Sequence, residues 1–346
     1  MINQLTFTRF LAASLIVLLH FGAFLKEKNI YFINAIWEHF NLGVSYFYVL
    51  SGFVMYTAYS NKNNLNLKSF YIKRFSRIYP LHILCLVFII SVNFFYISDY
   101  NIPKLAIGSH LVLIQSWIPR TVLTLNAPAW SISVEMFFYL LFPIFFALIK
   151  KYNFKIIFLS IVAFNIINQI IFNYYYFSEY YIGFKPDGYF LFYNPLLHLN
   201  SFLIGILFGY IYKKNTLKKS NYDKHIFLTL ILLISFIFIC KDIFIHNGFF
   251  AIPFGILIIL ISNNTGKITE IFNNKYLIYL GNISFALYLL QMPVFRFSSE
   301  LFKYLNLNNK SVNFFISFSL LIIISSLVYN YFEKPIQKLI NNYFKV

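Results

Sequence analysis

Long apolar stretches recur along the whole chain and alternate with short polar segments. Each stretch approaches the ~20 residues that a helix needs to cross the hydrocarbon core of a bilayer. The stretches predict transmembrane helices at 6–25, 42–59, 78–97, 130–149, 154–173, 191–212, 225–241, 247–262, 276–295 and 312–332. The stretch 103–118 is shorter and more polar, so it is interpreted as a re-entrant or interfacial segment. The pattern therefore predicts an all-α integral membrane protein with about ten transmembrane helices.

The composition agrees with a membrane protein. Of the 346 residues, 60% are hydrophobic and 11% are charged, whereas about a quarter of the residues in a soluble domain are charged. So few polar side chains cannot coat a water-soluble globule, which excludes the soluble class. The chain contains no repeat and no low-complexity tract, so residues 1–346 are interpreted as a single transmembrane domain.

The basic residues are distributed unevenly between the two sides of the predicted helices. Of the 28 Lys and Arg residues, 19 lie on one side and 9 on the other, and 7 of the 11 acids lie on the sparse side. Because cytoplasmic loops carry the excess of Lys and Arg, both termini are predicted to be cytoplasmic. The basic residues are dispersed among hydrophobic spans, so the net charge of +17 does not indicate nucleic-acid binding.

The first predicted helix contains the stretch TRFLAASLIVLLHF, in which Arg9 and His20 share one helical face. Eleven residues advance a helix by about 16 Å, so His20 lies beyond the bilayer midplane if Arg9 lies near the cytoplasmic headgroups. An ionisable group at that depth is costly and indicates a functional site. The structural alternative is a neutral histidine that bonds to a neighbouring helix.

One acid, Glu135, lies inside a predicted span, within the stretch NAPAWSISVEMFFYLLFP. It follows Trp130, which is interpreted as an interface anchor at the outer end of the fourth helix. A carboxylate inside lipid is normally protonated or paired with a cation. Arg9 is expected to lie too far toward the cytoplasm, whereas His20 is at about the right depth. The sequence therefore predicts an acid–base pair of His20 and Glu135, with a purely structural hydrogen bond as the alternative.

Arg74 and Arg77 stand three residues apart in the stretch FYIKRFSRIYPLH, which places both guanidinium groups on one face of a helix. Two forked donors on one face suit phosphate better than lysines do. The alternative is an ordinary basic loop that contacts lipid headgroups. Together with the acid–base pair in the membrane, the arginines suggest a phosphorylated donor that enters from the cytoplasm and reaches toward His20.

These motifs resemble those of the membrane-bound acyltransferase family 3, whose members O-acetylate bacterial surface polysaccharides and related molecules. The resemblance covers residues 3–340 and rests on LTFTRFLAASLIVLLHF, GVSYFYVLSGFVM, RFSRIYP, NAPAWSISVEMFFYLLFP, LGNISFALYLLQMPV and NYFEKPIQ. Each motif is short, but their order and spacing over the predicted helices are specific. One departure is Gln291, where members often carry His.

The resemblance implies an acyl-CoA donor, most commonly acetyl-CoA, with His20 in catalysis and the arginine pair in donor handling. The chemistry agrees, because the acceptor hydroxyl needs a base and histidine is the usual one, while an activated thioester needs no metal. Glu135 would orient His20 and stabilise its imidazolium. Arg74 and Arg77 would hold the phosphates of CoA. Arg9 would neutralise donor charge or contact the acyl carbonyl.

The resemblance also implies a multi-pass protein of the bacterial cytoplasmic (inner) membrane, surrounded by lipid, with a glycan or glycolipid acceptor and no appended soluble domain. Lipopolysaccharide, capsule, exopolysaccharide, lipid-linked precursors and small molecules all fit as acceptors. A transporter or flippase of lipid-linked saccharides is the alternative function, since paired ionisable groups in a membrane also mark transporters. Against it, the two halves show no repeat and no matching broken helices. A non-catalytic scaffold would leave His20 and Glu135 unexplained.

Overall fold

The computed structural model describes residues 2–28, 34, 36–37, 39–96, 102–181, 183, 185, 188–239 and 247–346. Within these ranges the longest elements are α1 (Thr6–Phe21), α2 (Leu42–Tyr59), α3 (Leu67–Tyr96), α4 (Trp130–Lys151), α5 (Phe154–Tyr176), α6 (Pro195–Lys213), α7 (Asp223–Ile239), α8 (Ala251–Asn263), α9 (Lys275–Tyr304) and α10 (Lys310–Val328). The same ranges contain no β-strand, so the predicted all-α class is confirmed for the described residues.

Shorter helical elements connect the long helices. They are 3-10 turns at Asn3–Leu5, Ala23–Lys28, Gln115–Trp117 and Ala127–Ala129, short α-helices at Lys104–Leu111, Tyr189–Tyr193, Lys267–Phe272 and Lys334–Tyr343, and a π-helical turn at Tyr329–Glu333. The π turn follows α10 directly and leads into the last short helix. Such turns shift side chains out of the regular helical register and are frequent at functional positions.

Seven helical runs are long and apolar enough to cross a membrane, counted over the described residues. They are Asn3–Phe21, Leu67–Tyr96, Ala127–Lys151, Phe154–Tyr176, Tyr189–Lys213, Lys275–Tyr304 and Lys310–Tyr343. The other three predicted spans correspond to α2, α7 and α8, which have 18, 17 and 13 residues. The ends of two predicted spans, 97 and 240–241, lie outside the described residues. The count of ten spans and the cytoplasmic position of both termini therefore remain predictions.

The outer surface of α5 illustrates how these helices meet lipid. Ile166, Ile167, Ile170 and Ile171 are each more than half exposed. A soluble protein rarely leaves so much contiguous apolar surface uncovered. A helix satisfies its own backbone hydrogen bonds, so this surface is stable against hydrocarbon.

The third helix begins earlier than hydropathy predicts. The apolar stretch predicts a start at residue 78, whereas α3 begins at Leu67 and contains Pro80 in its interior. Apolar length marks where a helix meets lipid, and the polar turns before that point are helical as well. Arg74 and Arg77 therefore belong to the same continuous helix as the apolar stretch that follows them.

The segment between α3 and α4 packs back onto the start of α4 through buried side chains. The Gln115 amide nitrogen donates to the Ala129 carbonyl at 2.8 Å, and the Ser116 hydroxyl donates to the Trp130 carbonyl at 2.6 Å. Non-helical backbone at membrane depth is tolerated where it is buried in protein in this way. Its re-entrant or interfacial position in the bilayer remains a prediction.

Two glycines allow the helices that form the site to approach closely. A Cβ on Gly281 of α9 would lie 2.0 Å from the carbonyl oxygen of Thr6, so glycine is required where α9 meets the start of α1. A Cβ on Gly52 of α2 would lie 2.1 Å from the carbonyl oxygen of Phe202 on α6. A larger side chain at either position would push a site helix away from its neighbour.

Candidate active site

A cavity of about 520 Å³ lies among α1, α2, α3, α4 and α9 and reaches the end of α6. It is called the arginine cavity below, because Arg9, Arg74 and Arg77 line it. Lys213 adds a fourth cation, and Glu135 is the one carboxylate among the described residues that line it. The volume lies in the range of small-molecule sites, and the excess of positive charge favours an anionic ligand.

Arg74 is held in the cavity wall by aromatic rings. Its guanidinium carbon lies 5.6 Å from the ring centre of Tyr139, 5.9 Å from that of Phe70 and 6.0 Å from that of Tyr59. Its Nη2 donates to the Tyr59 hydroxyl at 3.4 Å, but its Nε is buried without a hydrogen-bond partner. An unpartnered buried N–H is costly, and this one is closed off within the aromatic wall. Arg77, one turn further along α3, lines the same cavity, so the predicted shared face is confirmed.

Glu135 is held by two hydroxyl groups. The Ser51 hydroxyl of α2 donates to Oε1 of Glu135 at 3.1 Å, and the Tyr139 hydroxyl, one turn along α4, donates to the same oxygen. Arg9 lies within electrostatic reach of this carboxylate. Glu135 therefore joins α2 to α4 in the wall of the arginine cavity and offsets part of the arginine charge.

The predicted pairing of His20 with Glu135 is wrong. His20 does not line the arginine cavity, and its Nδ1 lies 2.8 Å from Oε1 of Gln291 on α9. Gln291 is fully buried, and its amide nitrogen also donates to the Tyr288 carbonyl at 2.6 Å. His20 itself is exposed. The residue that departs from the family pattern is therefore the partner of the predicted catalytic histidine.

The error in the pairing comes from the assumed depth of α4. The sequence suggests that Trp130 anchors the start of this helix at the membrane interface, but Trp130 is buried against Tyr193 and His198. The folded-back segment before α4 covers this helix start, so Trp130 contacts other side chains of the protein and gives no measure of depth in the membrane. Glu135 is placed near Arg9, which had been expected to lie out of its reach.

The lining of the arginine cavity extends toward the His20–Gln291 contact. Ser131 and Tyr288 belong to the lining, and their hydroxyl oxygens lie 2.8 Å apart. Tyr288 precedes Gln291 by one helical turn on α9. Along α9 the lining of the arginine cavity therefore comes within one helical turn of Gln291, the partner of His20.

A second buried acid, Glu333, lies near the arginines, although it falls outside the predicted apolar spans. Glu333 ends the π turn after α10, is 8% exposed and lies within electrostatic reach of Arg77 and Arg9. Its Oε2 is buried without a hydrogen-bond partner. The tenth predicted span stops one residue before it, and the available signal was the motif NYFEKPIQ. Over the described residues, no group of three or more His, Cys, Asp or Glu is placed to hold a metal ion.

The helices define the class of a multi-pass membrane protein, and the cavity among them is lined by several cations. The chain belongs to the acyltransferase family whose model is described as "Acyltransferase domain", and this model matches residues 2–331. The resemblance drawn from the sequence motifs is thereby confirmed.

Several relatives carry names that agree with this family. The chain is 36% identical over 117 residues to "Acyltransferase MdmB" of Streptomyces mycarofaciens. The match covers 32% of this chain and 30% of that protein. It is 26% identical over 343 residues to "Putative O-acetyltransferase SACOL0978" of Staphylococcus aureus (strain COL). The match covers 89% of this chain and 55% of that protein. It is 24% identical over 350 residues to "Peptidoglycan O-acetyltransferase OatA" of Listeria monocytogenes. The match covers 91% of this chain and 54% of that protein.

The chain thus spans about half the length of the Staphylococcus and Listeria relatives, and a smaller part of the Streptomyces protein matches it. No solved structure matches the chain significantly.

Proposed function

We propose that the protein transfers an acyl group, most commonly acetyl, from acyl-CoA to a hydroxyl of a glycan or glycolipid. The family accounts for acyl transfer. The arginine cavity is the observation that supports acyl-CoA as the donor. Its volume is about 520 Å³, and its lining includes the cations Arg9, Arg74, Arg77 and Lys213. Four cations around one cavity suit a donor with several phosphate charges.

CoA supplies such charges through its 3′-phosphate and its pyrophosphate. Forked guanidinium groups bind phosphate with paired, charge-assisted hydrogen bonds, which makes Arg74 and Arg77 the main phosphate ligands. The position of both arginines in the lining of one cavity supports this assignment. Glu135 and Tyr139 then hold the arginine wall in position, and Arg9 neutralises donor charge.

The acyl-pantetheine arm would extend from the arginines past Ser131 and Tyr288. Arg9 and His20 are eleven residues apart on α1, which corresponds to a rise of about 16 Å. This rise is comparable to the length of an extended pantetheine arm. The thioester can therefore approach the His20 region while the phosphates stay bound near the arginines. The lining position of Tyr288, one turn from Gln291, supports this path.

His20 acts as the general base. It takes the proton of the acceptor hydroxyl while the hydroxyl oxygen attacks the thioester carbonyl carbon. The C–O bond forms, the C–S bond breaks, and the CoA thiolate takes the proton back from the imidazolium. The exposed position of His20 supports this role, since an acceptor can reach its ring without entering the arginine cavity.

The charge bias of the loops supports a cytoplasmic position for the arginine end and a position of His20 toward the opposite face of the bacterial cytoplasmic membrane. Acyl-CoA would be consumed inside and the ester would appear outside, without CoA itself crossing. The Listeria relative is named as a peptidoglycan O-acetyltransferase, which supports a glycan as the acceptor class.

Sealed vesicles of known orientation test this sidedness. Labelled acetyl-CoA is supplied to one face, and label is measured in glycan acceptor on each side. We expect label on the outer acceptor from donor at the cytoplasmic face. Equal labelling from donor at the outer face would overturn the relay.

The same preparation separates an acyltransferase from a transporter of lipid-linked saccharides. An acyltransferase releases free CoA from acetyl-CoA when acceptor is added, and the rate depends on both substrates. A protein that moves the saccharide without forming an ester, and releases no CoA, would overturn the proposed function.

A further inference from the structure

Gln291 makes two hydrogen bonds that leave its amide a single orientation. Its Nε2 lies 2.6 Å from the carbonyl oxygen of Tyr288, and its Oε1 lies 2.8 Å from Nδ1 of His20. A carbonyl oxygen accepts hydrogen bonds and cannot donate one, so the amide group that faces Tyr288 must be the NH₂. The amide group that faces His20 is therefore the oxygen.

This orientation determines which nitrogen of His20 carries the proton in the neutral ring. An amide oxygen accepts and does not donate, so the bond between it and Nδ1 forms only when Nδ1 carries hydrogen. A neutral imidazole has one N–H, and with that proton on Nδ1 the lone pair is on Nε2. Nε2 belongs to the exposed side chain, whereas Gln291 is fully buried behind it.

We propose that Gln291 is the positioning residue of the reaction, which holds His20 in the tautomer whose Nε2 accepts the proton of the acceptor hydroxyl. This inference rests on the proposed function of His20 as general base. Gln291 acts through the histidine and touches neither donor nor acceptor. It takes the place in which many enzymes use a carboxylate, and it orients the ring without adding a negative charge.

The contact is held by the packing of α1 against α9 on both sides of the pair. Phe21, the residue after His20, stacks on Phe295 with ring centres 4.0 Å apart. About three turns before Gln291 on α9, the Gly281 contact sets this helix against the start of α1. Because both helices are fixed at these points, the distance between the imidazole and the amide is set by the fold, as positioning of a base requires.

The test compares Gln291→Met with Gln291→Glu. Methionine has a similar volume but no acceptor oxygen, whereas glutamate keeps an oxygen for Nδ1–H. Loss of such an outer partner costs roughly 10- to 100-fold in activity. We expect Gln291→Met to lower kcat by this factor with an unchanged KM for acetyl-CoA, and Gln291→Glu to recover a substantial part of kcat.

Gln169→Met is the matched control. The amide nitrogen of Gln169 donates to a backbone carbonyl, that of Asn247, at 2.6 Å, while its Oε1 has no partner. The control therefore loses the same kind of donor bond but no bond to a histidine, and we expect wild-type kcat. A Gln291→Met variant that keeps wild-type kcat while His20→Ala is inactive would overturn the inference and leave the proposed function standing.

A measurement that is independent of turnover uses ¹⁵N-histidine NMR, with the His20 signals assigned by their loss in His20→Ala. We expect hydrogen on Nδ1 and an unprotonated Nε2 in the wild type, and a growing share of the opposite tautomer in Gln291→Met. A wild-type ring with hydrogen on Nε2 would overturn the inference. An active His20→Ala variant would instead overturn the proposed function itself.

Discussion

The hydroxyl of Ser51 donates a hydrogen bond to Oε1 of Glu135 across 3.1 Å, so a serine of α2 and the acid of α4 meet in the wall of the arginine cavity. This contact assigns Glu135 to the arginines and separates it from His20. Substitutions in the cavity wall and substitutions at the His20–Gln291 pair should therefore change different kinetic constants. Changes in the cavity wall should alter the use of donor, and changes at His20 or Gln291 should alter turnover.

Ser51→Ala and Glu135→Asp are each expected to raise the KM for acetyl-CoA, because each removes the hydrogen bond between α2 and α4 in the arginine wall. Ser51→Ala removes the donor, and Glu135→Asp withdraws the carboxylate while keeping its negative charge. A hydrogen bond to a charged group is worth about 1.5–3 kcal/mol, so the rise should be about tenfold or more. Both variants break one shared interaction, so the KM of the double variant should be little higher than that of the more impaired single variant. Steady-state kinetics of the reconstituted protein measure this.

Ser60→Ala is the control for that cycle, because the Ser60 hydroxyl bonds to the Thr57 carbonyl within its own turn. It should leave the KM for acetyl-CoA unchanged. Fully additive effects of Ser51→Ala and Glu135→Asp would show that the two side chains act independently.

Arg74→Ala and Arg77→Ala are expected to raise the KM for acetyl-CoA by about one to two decades, since each removes charge-assisted bonds to phosphate. Arg77→Lys should restore part of the loss, because lysine keeps the charge but not the planar fork. Arg296→Ala is the control: this exposed arginine lies 4.0 Å from Glu300 on α9 and does not line the cavity. A changed KM for acceptor with unchanged donor dependence would assign the pair to another ligand.

His20→Ala is expected to lower kcat by about 10²–10⁴, the usual contribution of a general base. Because the His20 side chain is exposed, its removal should leave membrane insertion intact and change the thermal midpoint little. His225→Ala provides a control at another exposed histidine, on α7. Near wild-type acetylation by a well-expressed His20→Ala variant would remove this residue from the mechanism.

Gly281→Ala is expected to destabilise the protein by about 1–3 kcal/mol, because the new methyl group would lie 2.0 Å from the Thr6 carbonyl oxygen. Since α1 carries both Arg9 and His20, the displaced helix should also lose turnover. Gly108→Ala is the control: its Cβ meets nothing within 4 Å, and it should be neutral or stabilising. Equal thermal midpoints for the two variants in detergent would show that α1 and α9 separate without cost.

Part of this protein could be predicted from its sequence because the relevant physics is local. Long apolar stretches predict helices, since a helix satisfies its own backbone hydrogen bonds within lipid. The three-residue spacing of Arg74 and Arg77 predicts a shared face, since that spacing is close to one helical turn. The order of the short motifs indicated the family that the comparison with the family model then confirmed.

Tertiary structure decided which of these residues meet. Glu135 binds Ser51 and Tyr139, and His20 binds Gln291, although depth counted along single helices had paired His20 with Glu135. The relative height of two helices depends on contacts between distant parts of the chain, such as the close approach of α9 to α1. No local pattern of hydrophobic and polar residues records that height, so the partner of each buried polar group is settled only when the helices pack.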